Sequence, residues 1–155
     1  MSPDKGQKGS GSLNLYFSCS LTGGRADQEI YAAIVSHLEQ LGHAVPTAHL
    51  ADPGVMELER VVDPQEIYRR DLRWIDECDA LIAEVSTPSH GVGYEIAYAV
   101  GLAKPVLCCF KRGVPVSKMI LGNQSKGLQV TDYESTAVAL AAIDAFLQQI
   151  RPMGN

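Results

Sequence analysis

The stretch Ala80-Leu-Ile-Ala-Glu-Val85, continuing as Ser86-Thr-Pro-Ser89 and Ser89-His-Gly-Val-Gly-Tyr-Glu95, decides the fold of this chain. The first segment is nearly all apolar, which suits a strand buried on both faces of a parallel sheet. The turn that follows leads into an apolar helix expected over residues 94–103. Gly91 and Gly93 allow the backbone to approach a ligand closely. Glu95 is expected in the first turn of that helix. The helix dipole and free N–H groups favour negative charge there, so the carboxylate should stay ionised at neutral pH. An ionised carboxylate at the carboxyl end of a parallel strand, beside a Gly-rich turn, is a candidate nucleophile. A glutamate that merely complements the dipole is the plainer reading of the same residue.

Outward from this stretch, strands and helices alternate. Leu13 to Cys19 reads as a strand, and Leu21-Thr-Gly-Gly-Arg25 as a turn. Asp27 is a plausible N-cap for a helix whose apolar residues Ile30, Ile34, Leu38 and Leu41 recur at helical spacing, with Gly42 in the C′ position. Ala44 to Leu50 reads as a second, weaker strand, with Pro46 pointing to an edge or a strand start. Residues 51–63 form a loop or short helix. Asp63-Pro64 opens a helix that runs to about Glu77, with proline at its first position. Lys104 to Phe110 is a further strand, Val116 to Leu121 a short helix, Leu128 to Thr131 another strand, and Thr136 to Ile150 the last helix. The pattern predicts an α/β fold: a Rossmann-like doubly wound sheet of about five parallel strands flanked by helices. Ligands bind such sheets outside the carboxyl ends of the strands. Those ends carry residues 18–25, 49–52, 85–95 and 110–117.

The chain has 155 residues, enough for one core and one domain, expected over residues 13–151. Residues 1–12 are polar and rich in Gly and Ser, and read as a disordered leader or a fusion remnant; residues 152–155 read as a tail. A net charge of −5 without a long basic run argues against a general nucleic-acid binder. No membrane span or signal peptide is evident, so the expectation is a cytoplasmic protein, with the nucleus also open. Cys19, Cys78, Cys108 and Cys109 lack metal-ligand spacing and read as small buried apolar residues in a reducing compartment. A nucleophilic Cys19 lacks an evident histidine partner.

Two further residues invite a chemical reading. Asp71, in Tyr68-Arg-Arg-Asp-Leu-Arg-Trp74, is a weak helix former inside a helix. It is either the partner of a neighbouring arginine on a solvated face or a second active carboxylate. Tyr16 is either a core aromatic or a hydroxyl that orients the nucleophile. Two carboxylates beside one sugar suit glycosidic chemistry, one attacking the anomeric carbon and the other protonating the leaving group.

At these residues the chain resembles the 2′-deoxynucleoside 5′-phosphate N-hydrolases of the nucleoside 2-deoxyribosyltransferase superfamily. The likeness rests on Leu15-Tyr-Phe-Ser-Cys-Ser-Leu-Thr-Gly-Gly-Arg25, on Tyr68 to Trp74, and on Ala83-Glu-Val-Ser-Thr-Pro-Ser-His-Gly-Val-Gly-Tyr-Glu95. It runs from about Leu13 to Ile150. The resemblance implies that Glu95 is the nucleophile, Asp71 the second catalytic carboxylate, and Tyr16 the residue that positions Glu95. It implies that Ser89 binds the 5′-phosphate, and that Ser117 reaches the phosphate held by a neighbouring subunit, hence a homodimer with shared sites. Ser18, Ser20, Thr22, Gly23, Gly24 and Arg25 fall on the sugar–phosphate side, as do His90, Gly91 and Gly93. His49 matches a family histidine, though a structural capping role is equally open. No metal or organic cofactor is implied.

Ser89 separates two kinds of substrate. Transferases of this superfamily typically carry aspartate six residues before the nucleophile, where it accepts from a free 5′-hydroxyl. Aspartate would repel a phosphate dianion, whereas serine donates to it. Thr22 is a departure, since many hydrolases place arginine there, and arginine gives a charged bidentate contact that threonine cannot. Arg25, Arg112 or Lys118 would have to compensate. His90 is unusual too, and is either a neutral surface residue or an added phosphate donor. The implied activity is hydrolysis of the N-glycosidic bond of a (2′-deoxy)nucleoside 5′-monophosphate through a covalent glycosyl-Glu95 intermediate. The alternatives are a 2-deoxyribosyltransferase on unphosphorylated nucleosides and a non-catalytic nucleotide-binding module. A phosphoribohydrolase fits less well, because its Pro-Gly-Gly-x-Gly-Thr run is missing.

Overall fold

The computed structural model describes residues 11–21 and 25–150. Four parallel strands form one sheet: β1 (Leu15–Cys19), β2 (Ala80–Glu84), β3 (Val106–Lys111) and β4 (Leu128–Tyr133), in the order β1-β2-β3-β4. The helices are α1 (Arg25–Gln40), α2 (Val55–Arg60), α3 (Pro64–Glu77), α4 (His90–Gly101), α5 (Lys118–Leu121) and α6 (Thr136–Ile150). Every residue of β1 and β2 is buried, because helices cover both faces of the sheet.

Strand alternation sorts the side chains between two cores. Leu15, Phe17, Ala80, Ile82 and Leu107 pack with α1 and α6. Tyr16, Leu81, Ala83, Val106 and Cys108 pack with α3 and α4. All four cysteines are buried and unpaired.

The second expected strand does not form. Ala44 makes only an isolated parallel bridge to Asn14, on the free edge of β1. Pro46 supplies no N–H for a ladder, and Ala48–Ala51 coils into a short 3-10 helix. The Thr47 hydroxyl takes over the strand's task by accepting the Phe17 N–H at 2.9 Å. The sheet therefore has four strands rather than about five, and its β1 edge is covered by side-chain chemistry.

The topology places the site. From β1 the chain turns first to the Ala44 side, then crosses to β2 on the other side. A crevice opens at such a switch point, outside the carboxyl ends of β1 and β2. Two expected helix starts shift as well. α1 begins at Arg25, so Asp27 lies in its first turn rather than capping it, and binds Lys111 and Thr87 instead. α4 begins four residues earlier than expected, at His90, with the Ser89 hydroxyl accepting the Val92 N–H as N-cap. α3 starts as expected, with Pro64 at N1 and the Asp63 carboxylate accepting the Gln65 N–H at 2.8 Å. Ser12, expected in the leader, is tied to Gly42 through its hydroxyl. Residues 1–10 and 152–155 lie outside the described residues.

Candidate active site

Tyr16 and Ser18 are two apart on β1, so both point to the α3–α4 face. Glu95, on α4, lies against them. Ser18 is fully buried, and its hydroxyl donates to Glu95 Oε2 at 2.6 Å. The remaining oxygen, Oε1, is on the Gly91 side: a Cβ on Gly91 would lie 4.0 Å from it and 3.9 Å from the Ser89 hydroxyl. The Tyr16 hydroxyl is buried beside this carboxylate. Burial, then Glu95 and Asp71, push the phenol above the ordinary tyrosine range, so it stays a neutral donor.

Glu95 is in the second turn of α4, not the first. The orphan N–H groups belong to the first turn, so their electrostatic help is weak here. Burial dominates and raises the Glu95 pKa to about 7, with Ser18 and Tyr16 lowering it and Asp71 raising it. The expected fully ionised carboxylate is thus one that titrates near neutrality.

Asp71 is paired with its neighbour, but on a half-buried rather than a solvated face. Arg70 Nε donates to its Oδ1 at 2.9 Å, yet Asp71 is also part of the wall of the same cleft as Glu95. Burial raises its pKa, and Arg70 pulls the other way. Arg70 reaches Glu59 Oε1 as well, at 3.1 Å, and its guanidinium lies 4.8 Å from the centre of the Trp74 ring. His49 Nε2 meets the same Glu59 oxygen at 3.0 Å, and its ring packs edge-on against Trp74. His49 is therefore part of the scaffold that holds Arg70 and Asp71.

The cleft has a volume of about 420 Å³. Ser20, Ser89 and Gly91 line one side of it with Glu95, and Leu50, Glu59, Arg60 and Ile67 join Asp71 in the rest of the wall. Cys19 also lines it. Burial pushes its thiol up to about 12, which disfavours a thiolate nucleophile. Thr22, Gly23 and Gly24 lie outside the described residues, as does the Arg25 side chain. Arg112 does not compensate for Thr22: it pairs with Asp132 and Glu134 on an exposed surface. His90, Gly93 and Ser117 do not line this cleft. With Ser89 they border an adjoining apolar groove of about 660 Å³ between α4 and α5. Ser117 caps α5 there, its hydroxyl accepting the Met119 N–H.

Sequence reading missed Glu59, Arg60 and Ile67, which come from a segment without clear periodicity and from the start of α3. It grouped Ser18 with ligand contacts, whereas the strand alternation shared with Tyr16 already points it at the carboxylate. Among the described residues, no group of three or more His, Cys, Asp or Glu is placed to hold a metal ion. No described helix is long and apolar enough to cross a membrane.

The parallel α/β sheet thus carries two carboxylates, Glu95 and Asp71, in one cleft at its switch point. The nucleoside 2-deoxyribosyltransferase family model matches residues 15–137, and the chain belongs to that family. It is 42% identical over 147 residues to the 5-hydroxymethyl-dUMP N-hydrolase of Mus musculus, covering 92% of this chain and 84% of that one. The Rattus norvegicus protein of the same name is 40% identical over 144 residues, covering 90% and 87%. The solved CMP N-glycosidase of Clostridium botulinum superposes with a TM-score of 0.67 at 19% identity, covering 85% of this chain and 98% of that one, and so shares the fold.

Proposed function

We propose that this chain hydrolyses the N-glycosidic bond of (2′-deoxy)nucleoside 5′-monophosphates, releasing the free base and (deoxy)ribose 5-phosphate. The observation that carries the reading is one cleft holding Glu95, anchored by Ser18, together with Asp71 and Ser89. The relatives named as deoxynucleotide N-hydrolases support it.

Ser18 occupies Oε2, so Oε1 of Glu95 is the oxygen free to attack C1′. The C1′–N bond breaks as the ester bond to Glu95 forms. Asp71, whose pKa burial raises, gives a proton to the departing base. Asp71 then takes a proton from water as that water attacks C1′, which frees Glu95 and the sugar phosphate. Tyr16 donates to the carboxylate that departs in this second step. Ser89 supplies a neutral hydroxyl to the phosphate. The chemistry asks for no metal or organic cofactor.

The groove between α4 and α5 suits a second copy of the chain. Its floor includes Val92, Ile96, Val116 and Ile120, and Met119 at its rim is 84% exposed. Apolar surface of this kind is usually covered in an assembly. Ser117 and Ser89 border the same groove, so a second copy seated there would lie beside the phosphate end of the cleft. This supports a homodimer with shared sites. The test of function is base release from deoxynucleoside 5′-monophosphates by wild type and Glu95→Ala. Base exchange on unphosphorylated deoxynucleosides would favour the transferase reading, which the family's name also carries.

A further inference from the structure

Glu84 closes β2 on the face of the sheet opposite Glu95. Ala80 and Ile82, which share its face, pack with α1 and α6. Its side chain is fully buried. A carboxyl group in so apolar a strand destabilises the fold unless its oxygens are bound. Oε1 accepts the Ser86 N–H at 2.7 Å. Oε2 makes no hydrogen bond, and neither do the buried hydroxyls of Tyr31 on α1 and Tyr133 at the end of β4. Glu84 is the charge that acts most strongly on each of those phenols. All three atoms are buried. Buried groups of this kind rarely persist without a task.

The same turn is bound at two other points. The Ser86 hydroxyl accepts the Lys111 N–H at 2.9 Å. The Thr87 hydroxyl donates to Asp27, which also receives Lys111 Nζ at 2.6 Å. These contacts tie the turn to α1 and β3, and through Asp27 to the segment that follows residues 22–24. At its far end the turn delivers Ser89, which caps α4 and lines the cleft. Neither Glu84 nor the two tyrosines line the cleft themselves.

We propose that Glu84 is a positioning residue for the phosphate end of the cleft, fixing through the Ser86 N–H the turn that places Ser89. This rests on the reading of Ser89 as the phosphate contact. Glu95 is held from β1 by Ser18 as well as through α4, and Asp71 by its neighbour Arg70, so both reacting groups have an anchor outside the turn. Loss of Glu84 therefore shows in phosphate affinity more than in the chemical step.

The test compares wild type, Glu84→Gln and Glu84→Leu in steady-state hydrolysis of a deoxynucleoside 5′-monophosphate and in calorimetric binding of 2-deoxyribose 5-phosphate. Glu84→Leu is expected to raise KM and the product Kd about tenfold, with kcat within about threefold of wild type. Glu84→Gln keeps an acceptor for Ser86 and should stay within about threefold on every constant. A folded Glu84→Leu protein with wild-type KM and Kd, or one that loses kcat alone, overturns the proposal. If Glu84→Leu does not fold, Ser86→Ala carries the test, since it removes the hydroxyl that accepts the Lys111 N–H and faces Glu84 in the same turn. A rise of about threefold or more in KM and Kd supports the role, and wild-type values overturn it. Wild-type protein that binds the sugar phosphate without hydrolysing any nucleotide overturns the hydrolase reading alone and leaves Kd to decide Glu84. Wild-type protein that does neither overturns both.

Discussion

Ser18 Oγ and Glu95 Oε2 meet at 2.6 Å across 77 residues of sequence, joining the end of β1 to the second turn of α4. This contact selects which carboxylate oxygen faces the cleft. It also lowers the pKa of a carboxyl group that burial raises. Ser18→Ala should therefore have two effects. kcat should fall about 10- to 100-fold, the range for losing one hydrogen bond to a charged group. The acid limb of the rate profile should also move to higher pH, because a group that stabilises the ionised form is gone. Parallel pH–rate profiles of the two proteins check both.

The acid limb itself follows from burial. On the proposed mechanism Glu95 must be ionised to attack, and its pKa is raised to about 7. kcat/KM should rise with pH as Glu95 ionises around 7 in the free enzyme and fall at higher pH as Asp71 loses the proton it gives to the base. A limb near the ordinary glutamate value would contradict the burial argument.

The same shift has a stability consequence with a definite sign. Folded Glu95 binds its proton more tightly than the unfolded chain does, so its stabilising contribution is complete below the unfolded value of 4.5 and is lost as pH rises through about 7. Glu95→Gln removes that loss and can keep the Ser18 bond. It should be the more stable protein above pH 7, by up to about 3 kcal/mol, with little difference at pH 4. Denaturant unfolding at both pH values measures this.

Gly91 is open on its own account: a Cβ there meets nothing closer than the Ser89 hydroxyl at 3.9 Å. That Cβ would lie 3.9 Å from the Ser89 hydroxyl and 4.0 Å from Glu95 Oε1, where the proposed mechanism seats the sugar phosphate. Gly91→Val should fold with near wild-type Tm yet lose activity by about 100-fold or more. Thermal melts beside base-release assays separate the two.

Much of this was legible in the residues. The apolar runs of β1 to β4 reported the sheet, and Asp63-Pro64 reported the start of α3. The two carboxylates stood out by type and place. Other features depend on contacts that no local pattern carries. Ala44 to Leu50 has strand-like residues, but Pro46 and the Thr47 hydroxyl replace a ladder with one side-chain bond. Asp27 has the chemistry of a cap, but Lys111, 84 residues away, claims it. The His49–Glu59–Arg70 network that steadies Asp71 joins residues whose proximity only the fold creates.

Met119 is the clearest probe of the proposed dimer. Met119→Asp places a charge on the apolar rim of the α4–α5 groove. It should shift the protein towards monomer in analytical ultracentrifugation and lower activity through the loss of Ser117 from the partner's cleft. A dimer that survives this change unaltered would move the interface elsewhere.

The most direct test of the central claim is base release from each deoxynucleoside 5′-monophosphate and its unphosphorylated nucleoside, by wild type and Glu95→Ala. Release from the monophosphates alone, abolished in Glu95→Ala, is the expected result. Wild-type turnover by Glu95→Ala, or release only from unphosphorylated nucleosides in the presence of an acceptor base, would contradict it.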